Sequence, residues 1–131
     1  MRKLLILFAV FANLILVLAC SQEQPSVDKL VGTWKHPIQV GSINVNEGES
    51  TSLYNYEIFK FKGDGSFVFG EYDGQSPLYE VEGNWKLSDD KTRIEFSYES
   101  GETSSIDIRE FTGNSFITTS REGNDFLYTK D

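Results

Sequence analysis

The chain has 131 residues, of which 20 are acidic and 12 are basic, so its formal net charge is −8. This acidic balance argues against a nucleic-acid-binding protein, which needs a basic surface, and against broad electrostatic attachment to anionic lipid. The length fits one domain with its own core, and the single cysteine leaves no partner for a disulfide.

The chain begins with the layout of a secretory signal peptide. Arg2 and Lys3 precede an apolar run over residues 4–19, which is shorter than the roughly 20 residues that a membrane-spanning helix needs. The end of that run, Val17-Leu18-Ala19-Cys20, resembles the lipobox of bacterial lipoproteins. The resemblance implies cleavage before Cys20 and attachment of acyl chains, such as palmitate, to that residue. The alternative is an ordinary thiol at the edge of a signal peptide.

This interpretation divides the chain into three parts. Residues 1–19 are a lipoprotein signal peptide, residues 20–27 a lipidated tether and residues 28–131 the folded domain. Loss of Arg2 and Lys3 lowers the net charge from −8 to −10. We expect a monomer that acyl chains anchor in the bacterial outer membrane or cell envelope. The sequence does not distinguish a periplasmic domain from a surface-facing one.

After one helical turn at residues 27–30, with Ser26 as its N-cap, the sequence favours strands. Apolar and polar residues alternate with the period of two of a half-buried β-strand. In "LYEVEGNWKLS", the apolar residues between Tyr79 and Leu87 share one face, whereas Glu80 and Glu82 lie on the other. The predicted strands span residues 31–35, 54–62, 65–69, 78–88, 92–99, 104–110, 115–120 and 125–130.

Two segments depart from this alternation. Residues 36–52 are polar and carry two glycines, so we predict the longest loop of the domain there, a candidate lid, with at most a short strand near residues 43–45. In the following strand, Tyr56 and Ile58 share one face, but the apolar positions then shift parity at Phe59. Such a shift is typical of a β-bulge, which bends the corner of a barrel.

Short turn signals separate the later strands. Asp64-Gly65 between two apolar runs is a strong hairpin signal. The other signals are Gly74, Asp89-Asp90, Gly101, Gly113-Asn114 and Gly123-Asn124. Because every connection after residue 54 is short, we predict an all-β fold, an antiparallel up-and-down barrel of about eight strands. A barrel of that size is either filled by side chains or just wide enough for one small ligand.

Three motifs carry a family resemblance. Gly32-Thr33-Trp34-Lys35 is similar to the Gly-x-Trp signature of lipocalins and other calycins. Phe61-Lys62-Gly63-Asp64-Gly65-Ser66-Phe67 and then Gly83-Asn84-Trp85-Lys86 follow it, in the order typical of the lipocalin-like domain of bacterial lipoproteins. The resemblance covers residues 30–96 and implies a lipocalin-like barrel.

The resemblance also assigns roles to single residues. It implies that Trp34 packs at the closed end of the barrel under a basic side chain from near the last strand, with Arg121 preferred and Lys130 second. The glycine and tryptophan of each motif lie two residues apart on one strand face, so we interpret the pair as a packing device. The chain is shorter than a typical lipocalin and lacks its C-terminal helix, and both departures argue against a large cavity.

The sequence contains no pattern that indicates catalysis, a metal or a cofactor. It has no Cys/His cluster, phosphate-binding loop or nucleophile elbow. His36 is interpreted as a loop histidine, Asp89-Asp90 as a hairpin turn rather than a calcium loop, and Glu80 and Glu82 as solvent-exposed. We therefore expect a protein that is not an enzyme.

Aromatic residues, 14% of the chain, are the remaining candidates for a function. Phe96, Phe116 and Phe126 are expected in the core, whereas a buried tyrosine hydroxyl needs a partner, which a ligand could provide. The candidate ligand-lining residues are Trp34, Tyr56, Ile58, Phe67, Phe69, Tyr79, Val81, Trp85, Tyr98 and Ile106. The first hypothesis is a barrel that binds a small apolar or amphipathic molecule. The second is a filled barrel that acts on an envelope protein partner, as an interaction module or inhibitor.

Overall fold

The computed structural model of the chain describes residues 23–46 and 48–131. The predicted signal peptide and Cys20 lie outside the described residues. The elements are α1 (Val27–Leu30), β1 (Gly32–Asn46), β2 (Glu49–Phe61), β3 (Ser66–Asp73), β4 (Ser76–Leu87), β5 (Arg93–Tyr98), β6 (Thr103–Asp107), β7 (Glu110–Phe111), β8 (Ser115–Thr119) and β9 (Asp125–Lys130). Within the described ranges, no helix is long and apolar enough to cross a membrane.

All nine strands belong to one antiparallel sheet, in the order β6-β5-β4-β3-β2-β1-β9-β8-β7. Consecutive strands pair with each other, except that β6 and β7 lie at opposite edges of the sheet, and β9 also returns to pair with β1. The sheet is therefore a meander that curls on itself, and the predicted all-β, up-and-down, lipocalin-like architecture is confirmed.

The described residues form nine strands instead of about eight because the predicted strand at residues 104–110 is divided. Its first part, β6, pairs with β5, and its last part, β7, pairs with β8. Between them, the amide of Ile108 donates to the carbonyl of Thr92, and the amide of Arg109 donates to the carbonyl of Ile117, each at 2.8 Å. This segment joins the two edges of the sheet at one end of the barrel, the closed end, and leaves a seam between β6 and β8 at the other, the open end.

The core fills the closed end with aromatic side chains. Trp34 is fully buried, and its ring centre lies 4.9 Å from that of Phe116 and 6.2 Å from that of Phe111. α1 covers this end: Leu30 is fully buried, and its carbonyl accepts a 2.7 Å hydrogen bond from Nε1 of Trp34. Ser26 precedes α1, as predicted, but its side chain makes no capping hydrogen bond.

Each Gly-x-Trp motif places its glycine where a side chain would not fit. At Gly83, a Cβ atom would overlap the carbonyl oxygen of Ser97 and would lie 3.0 Å from the ring of Phe67. At Gly32, which has a φ of +137°, a Cβ atom would lie 2.7 Å from Cε of Lys130. The glycines allow these close approaches, and this geometry is that of a packing device.

The predicted loop and lid at residues 36–52 is wrong. β1 and β2 continue through it as one long hairpin, paired from Gly32↔Phe61 to Asn46↔Glu49. Few apolar residues mark these strands, because the far half of the hairpin extends beyond the core and is mostly exposed. Main-chain pairing rather than burial holds that part of the sheet, and period-two hydrophobicity cannot detect such a strand.

The predicted bulge in the second strand is also wrong. The pairing of β2 with β3 runs without a shift from Tyr56 to Phe61, so Tyr56 and Ile58 face outward while Phe59 faces the core. The register shifts fall elsewhere: at Val40 and between Asn44 and Asn46 in the pairing of β1 with β2, and between Glu71 and Tyr72 in the pairing of β3 with β4. The parity change in the sequence arose because both faces of β2 carry apolar residues: Ile58 is buried on the outer face.

Candidate functional site

A cleft of about 1000 Å³ opens at the seam between β6 and β8. It exists because β7 has only two residues and pairs only with Phe116 and Ile117, so the later part of β8 has no neighbour on that side. The interior-facing residues that line the cleft are Glu57, Phe59, Phe69, Phe96, Tyr98, Ser104, Ile106, Thr118, Ser120, Phe126 and Tyr128.

The deep wall of the cleft is aromatic. The ring centre of Phe59 lies 4.4 Å from that of Phe69, 5.6 Å from that of Phe96 and 5.3 Å from that of Tyr128. Three of these rings, Phe59, Phe96 and Tyr128, are buried and also form the layer of the core nearest the open end. The cleft can therefore accept an apolar group against a surface that the core holds in place.

Polar side chains form a row above this wall. The strand register places His36, Glu57, Glu71 and Tyr79 side by side on β1, β2, β3 and β4, on the interior face. The hydroxyl of Tyr128 donates a 2.8 Å hydrogen bond to Oε2 of Glu57. The cleft thus combines an aromatic wall with polar side chains, so it can contact both an apolar and a polar part of one ligand.

The hydroxyls of Tyr79, in this row, and of Tyr128, which donates to it, are held in their neutral form. Burial, and then the nearby carboxylate of Glu57, raises the pKa of Tyr128 far above its usual 10.0. The pKa of Tyr79 is raised by burial and by Glu57 and Glu71. Both tyrosines therefore remain hydrogen-bond donors at physiological pH.

A second cavity, of about 690 Å³, continues from the first along β4. The two share Phe69 and Tyr98. β5 pairs only with the last part of β4, from Gly83 onward, so the earlier part pairs with β3 but has no neighbour among the described strands on its other side. Tyr79 and Val81 are therefore 47% and 38% exposed although they point toward the barrel interior.

The structure brings half of the predicted ligand-lining residues together. Phe69, Tyr98 and Ile106 line the first cavity, and Tyr79 and Val81 line the second. The other five do not line either cavity, and these assignments are corrected: Trp34, Phe67 and Trp85 are buried in the core, and Tyr56 and Ile58 lie on the outer face. Phe126, predicted as core, is half-buried and borders the first cavity.

Lys130, rather than Arg121, covers the indole of Trp34. Nζ of Lys130 lies 5.2 Å from the ring centre and donates a 2.7 Å hydrogen bond to the carbonyl of Lys29. Arg121 is exposed and borders the cleft at the open end. The preference for Arg121 is corrected, because Lys130 on β9 is opposite Trp34 in the register, whereas Arg121 lies on the β8–β9 turn at the other end of the barrel.

Glu57, Thr118 and Tyr128 line the cleft but were not among the predicted site residues. Glu57 could have been found by extending the interior parity backward from Phe61 and Phe59. Tyr128 follows from the same count along β9. Thr118 is 6% exposed, and its small polar side chain gave no signal.

The other residues considered for a chemical role, His36 and Asp90, make contacts that stabilise the fold. His36 lies on β1 rather than in a loop, donates from Nδ1 to the carbonyl of Leu127 at 3.0 Å, and packs edge-on against Phe126. Asp90 accepts hydrogen bonds from Ser88 and Thr92 in the β4–β5 turn. In the described ranges, no three His, Cys, Asp or Glu side chains are grouped to hold a metal ion.

The predicted outer face of β4 is solvent-exposed. Glu80 and Glu82 both lie there. The carboxylate of Glu80 accepts a short hydrogen bond from the hydroxyl of Tyr72 and lies 3.9 Å from Nζ of Lys60. Glu80 and the two groups that contact it point away from the cleft and are assigned no part in the site, whereas Glu82 borders the second cavity.

Comparison with known proteins agrees with this architecture. A family model described as a lipocalin-like domain matches residues 30–118. An NMR structure of a protein from Bacteroides uniformis has a TM-score of 0.56 at 14% identity, over 83% of this chain and 94% of that one. A crystal structure of an uncharacterized protein from Bacteroides eggerthii has a TM-score of 0.50 at 14% identity, over 77% and 98%. No curated protein sequence matches significantly.

Proposed function

Because this chain belongs to the lipocalin-like domain family, we propose that it is a lipid-anchored binding protein of the bacterial cell envelope. Its ligand is a small apolar or amphipathic molecule, and the protein is not an enzyme. One observation carries the proposal: the barrel is packed at one end but leaves an aromatic-walled cleft of about 1000 Å³ at the other. Ligand pockets are typically about 300–1,000 Å³, so the cleft is large enough for one small molecule.

The distribution of packing supports a binding cleft over a filled barrel. Trp34, Phe61, Phe67 and Phe116 are less than 2% exposed and occupy the closed end. Near the open end, the interior-facing side chains on β6 and just after β8 are small, such as Ser104 and Ser120. Small side chains at these positions leave room that aromatic residues would otherwise fill. The packed core at the closed end stabilises the barrel, so the open end can stay unfilled.

The position of the first described residues supports an anchor at the closed end. Glu23 lies three residues after Cys20. Its side-chain Oε2 is 3.2 Å from where a Cβ atom would stand on Gly113, in the β7–β8 turn. Three extended residues reach about 10 Å. An acylated Cys20 would thus hold the closed end next to the bilayer, with the open end directed away from it and toward a ligand in the aqueous phase.

The test is ligand uptake by the mature domain made without lipid. We expect native mass spectrometry to detect bound amphiphile and Ser104→Trp, which fills the cleft, to abolish uptake. Thr129→Trp, at an exposed position outside the cleft, is the matched control. Only the bare mass in wild-type protein after incubation with amphiphiles, or equal uptake by both variants, would contradict the proposal.

A protein-interaction module is the second candidate, and the β1–β2 hairpin favours it. Val40, Ile43, Leu53 and Tyr54 on that hairpin are 43–53% exposed. Exposed apolar side chains on a projecting hairpin are a common docking surface. A photo-crosslinker at Ile43 in intact envelopes would capture one reproducible partner if the hairpin docks. A crosslinker at Thr129 serves as the control.

A further inference from the structure

Two carboxylates face each other on the interior side of the open end. Glu57 on β2 and Glu71 on β3 are directly opposite in the strand register. Like charges in this position destabilise a sheet. Among residues 23–46 and 48–131, no Lys or Arg forms an ion pair with either carboxylate. The pair therefore lacks the cation that would offset its repulsion.

Neighbouring side chains fix both carboxylates. Tyr128 donates to Oε2 of Glu57 at 2.8 Å, and Nδ2 of Asn55 donates to Oε1 of Glu71 at 2.7 Å. The other oxygen of each carboxylate has no hydrogen bond within the described part of the chain. Glu71 lies in the sheet between Glu57, which lines the first cavity, and Tyr79, which lines the second. Each carboxylate therefore keeps one acceptor oxygen for a donor that enters the open end.

The aromatic rings beside these carboxylates suit a cation as well as an apolar chain. Phe59 and Tyr128 line the cleft together with Glu57, and Tyr79 follows Glu71 in the row. The face of an aromatic ring attracts ammonium groups, more strongly when water is excluded. An amphiphile could therefore place its chain on the aromatic wall and its charged group at the carboxylates.

Basic groups near the cleft do not neutralise this site. Lys86 lies on the outer side of β4, and its Nζ is 3.0 Å from Oε2 of Glu95. Arg121 is exposed on the β8–β9 turn at the rim. His36 is next to Glu57 in the register, but its Nδ1 donates to the carbonyl of Leu127.

We propose that the ligand is a cationic amphiphile, with an ammonium-type group bound between Glu57 and Glu71 and an apolar chain against Phe59 and Phe96. This inference rests on the proposed function, since it specifies the ligand of the same cleft. An electropositive ligand removes the cross-strand repulsion when it binds, so the carboxylate pair favours the bound state.

The test compares two probes of equal chain length, decylammonium and decanoate, by isothermal titration calorimetry at neutral pH and below their micelle concentrations. The protein is the mature domain and its Glu57→Gln, Glu71→Gln and Glu122→Gln variants. Glu122 is exposed on the β8–β9 turn, at the same end of the barrel but outside the row. It reports any effect of the overall acidic charge.

We expect decylammonium to bind at least about tenfold more tightly than decanoate, the range of a charge-assisted hydrogen bond. Glu57→Gln and Glu71→Gln should each remove most of this preference, and Glu122→Gln should keep it. Replacement of Glu71 by Gln removes one charge of the repelling Glu57–Glu71 pair. Ligand-free Glu71→Gln should therefore unfold at a higher urea concentration than wild type. A fall in its urea midpoint would contradict the repulsion that the inference requires.

Equal binding of the two probes would overturn the charge assignment and leave the proposed function intact. Tighter binding of decanoate, lost in Arg121→Gln, would overturn it in favour of an anionic ligand held at the rim. If Glu122→Gln lost as much decylammonium binding as Glu57→Gln and Glu71→Gln, the preference would come from the overall surface charge, and the proposed site would be overturned. Binding of neither probe would overturn both this inference and the proposed function.

Discussion

Lys130 connects the end of the chain to the start of the barrel: its Nζ lies 5.2 Å from the ring centre of Trp34 and donates to the carbonyl of Lys29. A cation over an indole and a charge-assisted hydrogen bond each stabilise the folded state. We expect Lys130→Met to lower the free energy of unfolding by about 1–2 kcal/mol. Urea denaturation measures this, and Lys62→Met, at an exposed position, should have little effect. Equal midpoints for the two variants would contradict the assigned role.

Gly83 is a second position at which the sequence motif makes a measurable prediction. A methyl group there overlaps the carbonyl of Ser97, which is main chain and cannot turn away. We expect Gly83→Ala to lower the free energy of unfolding by about 2–3 kcal/mol, as overpacking does. Gly63→Ala is the matched control, because no atom of the described residues other than Gly63 and its two chain neighbours lies within 4 Å of its Cβ position. A Gly83→Ala protein as stable as Gly63→Ala would show that the packing interpretation of the motif is wrong.

The fold was predictable from the sequence wherever a strand buries one face. The eight predicted strands are all present, because period-two alternation and glycine turns are local signals that the antiparallel meander does not override. The far half of the β1–β2 hairpin was not predictable, since it is held by main-chain pairing and buries little. The division of the strand at residues 104–110 depends on which edge each part meets, which no local pattern encodes.

The β4–β5 turn allows a prediction about acid. Hydrogen bonds from the side chains of Ser88 and Thr92, and from the main chain of Thr92, lower the pKa of Asp90 from 3.8 to about 2. The folded state thus binds this proton less readily than the unfolded state, so the stabilisation is complete above pH 4 and is lost as the pH falls toward 2. NMR titration of the Asp90 carboxyl measures its pKa directly. Thr92→Ala should raise it, and an unchanged value would contradict the assigned cause.

The candidate site was only half predictable for a similar reason. Phe69, Tyr79 and Tyr98 follow from strand parity. Parity, however, does not distinguish an interior position in the packed closed end, such as Trp34, from one at the open end. Height along the barrel decides this, and it depends on the shear of the register between strands. Strand parity also places Glu57 on the interior face, although a charged residue at such a position contradicts the usual apolar pattern.

Tyr128 gives a prediction for alkaline pH. Burial and the carboxylate of Glu57 raise the pKa of Tyr128 above its usual 10.0, so the folded state keeps this proton while the unfolded state loses it. The stabilisation is complete below pH 10 and is lost as the pH rises further. Tyr128→Phe removes the hydrogen bond to Glu57, at a cost of about 1 kcal/mol near neutral pH, but it also removes the titration.

The melting temperature of wild-type protein should therefore fall above pH 10 more steeply than that of Tyr128→Phe, so the difference between them narrows as the pH rises. Circular dichroism followed from pH 7 to 11 would measure both curves. Tyr54→Phe, on the exposed hairpin, is the control and should follow wild type throughout. Parallel curves for wild type and Tyr128→Phe would mean that Tyr128 ionises in the folded protein, and the buried, neutral donor assigned to the cleft would be wrong.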